Sequence, residues 1–230
     1  MTLTTAIRLT EILLALALIQ QSLEHVLRRE KVFRREQLLF GLRIALCALL
    51  IAQIASPWPL AALAVLSLLI LDNFQGPYNG GSDRISLLIL WSLTAANLIP
   101  HPHWQEVVFG YLGLQLVLSY FVSGWVKVVN PDWRRGLALQ DVFLFSAYPC
   151  SEDKRSWANK PAALLVLSWL VMLFELAFPL VLVSKTALWI GLSVALVFHL
   201  ANAVLFGLNR FVWAWLAAYP SLIWLQARLI

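Results

Sequence analysis

Residues 162–183 read AALLVLSWLVMLFELAFPLVLV, and the reading of this stretch decides the fold. It is long enough to cross a bilayer as a helix, which takes about 20 predominantly apolar residues. Its one charge is Glu175. Similar runs fall on both sides, at 6–27, 38–55, 59–71, 85–99, 107–129, 186–206 and 211–225. The runs at 59–71 and 85–99 are short, and Pro57-Trp58-Pro59 makes the preceding turn tight. No strand-like alternation appears, so the sequence predicts an all-α polytopic transmembrane bundle of about eight helices and not a barrel.

Composition supports that reading. Of 230 residues, 61% are hydrophobic and 13% charged, too little polar surface to cover a water-soluble globule. The length suits one domain, 1–230. The first run carries Glu11 and lacks a basic leader and a small-residue cleavage site, so it is expected to be a retained helix. Cys47 and Cys150 have no metal-ligand spacing and are expected to be free thiols.

The net charge of +5 does not indicate nucleic-acid binding, because the basic residues cluster in short loops between apolar runs. Arg28, Arg29, Lys31, Arg34 and Arg35 follow the first run, Arg84 the third, Arg134, Arg135, Lys154, Arg155 and Lys160 the fifth, and Arg210 the seventh. The positive-inside rule then predicts a multi-pass protein of the cell membrane with an extracytoplasmic N-terminus. The longest connection, about residues 130–160, holds a segment at 136–146 that reads as a short interfacial amphipathic helix.

Ionisable groups within membrane spans are costly and generally face the bundle interior. The first run has Glu11, Gln20, Gln21, Glu24 and His25, the last two open to a plain interfacial reading. Lys127 closes the fifth run, either as a snorkelling interfacial lysine or as a desolvated amine able to act as a base. Glu175 sits mid-span four residues before Pro179, which removes the hydrogen bond to the Glu175 carbonyl. His199 and Asn202 lie three apart on one helix face and suit either interhelical hydrogen bonding or a site. The loop 72–83 is rich in turn residues around Asn79-Gly80-Gly81. No metal-ligating pattern is present.

Residues 120–136, YFVSGWVKVVNPDWRRG, resemble the signature of the vitamin K-dependent gamma-carboxylase family: an aromatic pair, a small residue and Gly, a Lys, then Asp-Trp and Gly. Residues 198–206, FHLANAVLF, are similar to that family's Phe-His-Leu segment, and Asp72, Asn79 and Asn97 are similar to scattered positions between the blocks. The resemblance runs over roughly residues 70–225 in the same order and extends to the HTTM domain, the membrane part shared by the carboxylase and many bacterial proteins. It implies a multi-helix membrane fold and, in the carboxylase itself, a reduced vitamin K cofactor with oxygen and carbon dioxide. Lys127 matches the catalytic lysine that deprotonates the hydroquinone. Leu98 stands where the carboxylase has a histidine, and the 230 residues hold no counterpart of its large substrate-binding extramembrane domain. The carboxylase works on the lumenal side, whereas the loop charges place Lys127 toward the cytoplasm.

The expected site therefore has Lys127, His199 and Glu175 as catalytic groups around a quinone or hydroquinone, or a lipid. Asn79, Asp83, Trp133 and Asn202 are the expected ligand-binding residues. Whether the chain is an enzyme stays open. The alternative is a non-catalytic membrane subunit that docks a partner protein, with its polar groups holding helices together. A transporter has less support, since no inverted repeat or pair of broken helices is visible.

Overall fold

A computed structural model describes residues 1–27, 34–55, 57–73, 80–146 and 152–230. Asn79, Cys150, Arg28, Arg29 and Lys31 lie outside the described residues. Among the described residues there is no strand. The α-helices are α1 (Leu3–Val26), α2 (Arg34–Ile51), α3 (Trp58–Asn73), α4 (Gly80–Leu98), α5 (Pro102–Val129), α6 (Pro131–Arg134), α7 (Leu137–Phe145), α8 (Pro161–Ala177), α9 (Lys185–Phe206) and α10 (Asn209–Leu229). Two 3-10 segments, Glu152–Asn159 and Phe178–Leu182, flank α8.

Each of the eight apolar runs is helical, and the expected short helix at 136–146 is α7. By length and hydropathy, α1, α5, α8 with its 3-10 extension, and α9 can each cross a membrane, and α3 is a shorter apolar helix. The other three carry charges, including Arg43 in α2, Asp83 in α4 and Arg210 in α10. On α9, Trp189, Ile190, Val197 and Val204 are exposed while His199 is buried, so the apolar side faces outward and the polar group inward. That inversion is what a hydrocarbon solvent requires.

The chain folds as two compact units. The first comprises residues 1–113 and 210–225, with α1 to α4, the first part of α5 and most of α10. In it α1 packs antiparallel on α2, pairing Arg8 with the Leu50 and Ile51 carbonyls at one end and His25 with Phe40 at the other. Leu14, Leu50, Leu63, Ile89, Phe109 and Leu222 are among its fully buried core. The second unit comprises residues 114–209 and 226–230. Within it, α7, the following 3-10 segment, α8 and α9 meet in a cluster of Leu139, Phe143, Ala158, Leu164 and Phe206.

Candidate functional site

In the second unit, Tyr120, Ser123 and Lys127 lie at i, i+3 and i+7 on α5, which puts them on one face. Gly124 lets that face come very close to α8. A Cβ there would stand 2.8 Å from the Leu176 nitrogen and 2.9 Å from the Glu175 Cβ. With the two backbones so close, Glu175 reaches the polar face of α5. Lys127 Nζ donates to Glu175 Oε2 at 2.6 Å, to Oε1 at 2.8 Å and to Ser123 Oγ at 2.5 Å. Ser123 Oγ also donates to Glu175 Oε1 at 3.1 Å. The Glu175 side chain is 4% exposed and that of Lys127 17%. The lysine side chain is thus the more accessible member of the pair.

Pro179 acts on the other side of Glu175. It cannot donate to the Glu175 carbonyl, and that carbonyl accepts instead from the Phe178 N–H as α8 tightens into the 3-10 segment. The hydrogen bond that Pro179 removes is thus replaced through a change of helix type, and the backbone group remains satisfied.

One helical face along, Tyr120 hydroxyl and His199 Nε2 are 2.7 Å apart and both residues are buried. Tyr120 stacks on Phe178 at 3.9 Å between centroids and meets Phe174 edge-on at 5.6 Å. Tyr120 precedes Lys127 by seven residues, about 10 Å of helix. His199 therefore belongs to the same unit but pairs with Tyr120, two turns of α5 away from the Lys127 head group.

Trp133 reaches Lys127 from the short α6, its ring centroid 5.4 Å from Nζ. Asn130 caps α6 by accepting from the Asp132 N–H, and Pro131 starts it. The turn out of α6 depends on Gly136, which has φ +78° and would place a Cβ 2.9 Å from the Leu165 nitrogen. Asn202 is half-buried, and its backbone carbonyl accepts from Gly207 and Leu208 at the end of α9. Asp83 lies in the first unit, where Gln21 donates to it at 2.8 Å. Among the described residues no cluster of three or more His, Cys, Asp or Glu is placed to hold a metal.

The first unit contains ionic groups that the sequence reading underrated. Arg8 bridges Glu11 and the C-terminal carbonyls of α2, where a cation is favoured, and Asn97 donates to Glu11 at 3.0 Å. Glu24 and His25 are more than interfacial groups reaching water. His25 is 1% exposed, stacks on Phe40 at 4.0 Å, and lies 3.2 Å from Arg210 Nη2. Arg210, counted above as a loop charge, is buried and donates to Glu24 at 2.8 Å. Arg43 was not singled out at all. Its signal was available, as the one charge inside the run 38–55.

The arrangement in the second unit holds an ammonium and a carboxylate together with a hydroxyl, bordered by aromatic rings. Such a set can exchange a proton between Nζ and a carboxylate oxygen, or simply tie α5 to α8. No curated protein and no solved structure matches the chain. A family comparison matches residues 90–226 to the HTTM domain, a range that includes Tyr120, Ser123, Lys127, Glu175 and His199. With more than half its length matched, the chain belongs to the HTTM domain family, the domain of vitamin K-dependent gamma-carboxylase-like proteins, and is a multi-pass membrane protein.

Proposed function

We propose that the second unit binds a quinone-type ligand against Lys127, with Lys127 as its base and Glu175 as the group that charges and discharges it. The observation that supports the reading is the Lys127–Glu175 hydrogen-bonded pair, in which the lysine is the more accessible partner. The neighbouring residues fit a flat ring carrying an ionisable oxygen. Trp133 presents a face near Nζ, and further along α5 the half-buried Phe174 packs edge-on against the buried Tyr120. When bound, a reduced quinone-type ligand would supply an acidic hydroxyl and a reducing ring. Glu175 Oε2 would take a proton from Nζ along the 2.6 Å hydrogen bond, leaving a neutral amine with a free lone pair. Ser123 would hold that amine in place through Oγ. Tyr120 and His199 would fix the far end of the same helical face.

The test is titration of the purified protein with a short-chain naphthoquinol, followed by tryptophan fluorescence. Lys127→Ala should weaken binding by about tenfold or more, the effect of one charge-assisted hydrogen bond. Unchanged binding would overturn the reading. The second reading, a non-catalytic subunit that docks a partner protein, is favoured by the completeness of the pair, since Nζ already engages both carboxylate oxygens and Ser123. It expects Lys127→Met to be tolerated in cells and a stoichiometric partner to be recovered by pull-down. In either case the loop charges support an extracytoplasmic N-terminus at the cell membrane, which labelling of a cysteine introduced at Thr2 in intact cells would test.

A further inference from the structure

The first unit contains a small open cleft of about 60 Å³, room for a polar group the size of a few waters. It lies where α1 and α3 finish and α2 and α4 begin, and it is built almost wholly from residues that precede the family match. Its walls are apolar, with Leu63, Leu87 and Leu90 among them, and its polar groups include Arg43 and Asp83. Arg43 is 5% exposed. Its Nε donates to Ser22 Oγ at 2.7 Å and its guanidinium lies over Phe40 at 4.7 Å, so its position is fixed. Its Nη2 is buried and has no hydrogen-bond partner among the described residues. A buried guanidinium nitrogen without an acceptor is costly, more so in a membrane. Asp83 lines the same cleft, yet no ion pair among the described residues joins it to Arg43.

A cation and a carboxylate that share one cleft without touching suit a molecule with both charges. Arg43 is held by Ser22 and Asp83 by Gln21, consecutive residues of α1, so the two charges stand at one level of the cleft. The two charges of the ligand thus lie side by side there, with apolar chains against Leu63 and Leu90. We propose that this cleft holds the headgroup of a zwitterionic phospholipid, its phosphate on Arg43 and its ammonium on Asp83. This site is separate from Lys127 and does not depend on the function proposed above.

Native mass spectrometry of the detergent-purified chain tests it, with phosphatidylethanolamine and phosphatidylglycerol of identical acyl chains and soluble phosphoethanolamine as probes. Phosphatidylethanolamine should be retained over phosphatidylglycerol by about tenfold, the effect of one ionic hydrogen bond to Asp83. Arg43→Gln should lower retention of both lipids, and Asp83→Asn should abolish the preference while leaving phosphatidylglycerol binding in place. Ser86→Phe, which fills the cleft and leaves both charged residues in place, should exclude both lipids and serves if a charge variant fails to fold. Equal retention of the two lipids by the wild type, or wild-type retention in Arg43→Gln or Ser86→Phe, overturns the proposal. Binding of soluble phosphoethanolamine as tight as that of the lipid overturns the lipid as the source.

Discussion

Replacing Lys127 with Met measures what the buried pair contributes. The methionine is close in length but removes the three donors that Nζ directs at Glu175 and Ser123. Glu175, 4% exposed, is then left with the Ser123 hydroxyl at 3.1 Å. Removing one member of a buried ion pair typically costs about 3–5 kcal/mol. The lower end applies, because the carboxyl group can take up a proton instead of remaining a bare anion. Glu175→Gln should cost less, about 1–2 kcal/mol, since the ammonium is the more exposed partner and its stem can extend toward water. The double variant should cost about 1 kcal/mol, because two neutral groups of similar shape replace the pair. Unfolding in mixed micelles with increasing sodium dodecyl sulfate gives the four free energies of the cycle. The expected coupling is about 3–4 kcal/mol. A coupling below about 0.5 kcal/mol, the range of an exposed pair, would refute the claim that Lys127 and the buried Glu175 form one interacting pair.

Two further outcomes test the packing around that pair. Gly124→Ala should destabilise the protein by about 1–3 kcal/mol in the same assay, because its Cβ meets the Leu176 backbone and α5 must move away from α8. The same variant should weaken the Lys127–Glu175 coupling, which a purely local clash would leave alone. Tyr120→Phe removes the hydroxyl at 2.7 Å from His199 and should cost about 1 kcal/mol, with the imidazole resonances shifted in a histidine-selective NMR spectrum.

Much of the fold could be read from the sequence because a membrane helix is a local property. The runs at 162–183 and 186–206 became α8 with its 3-10 tail and α9 almost residue for residue. Lys127 and Glu175 stood out singly, since charge within an apolar run is conspicuous. Their pairing was not legible, because 48 residues separate them and the feature that joins them is the missing side chain of Gly124. His199 was correctly seen as a buried polar residue, but nothing in its spacing identified Tyr120 as its partner. Arg43 is as conspicuous in its run as Lys127 and Glu175 are in theirs, whereas Arg210 follows a helix end, where a basic residue is ordinarily an anchor. Both are held by residues of α1, Ser22 and Glu24, and only the packed unit shows this.

That dependence on α1 has a consequence for synthesis. The first helix enters the membrane carrying Arg8, Glu11, Ser22 and Glu24, and its partners follow in chain order. The α2 carbonyls and Arg43 come first, then Asn97 on α4, and Arg210 on α10 arrives last. A nascent chain halted at Phe206 lacks the guanidinium that pairs with Glu24. The pairing of α1 is therefore incomplete until the chain has been made as far as α10.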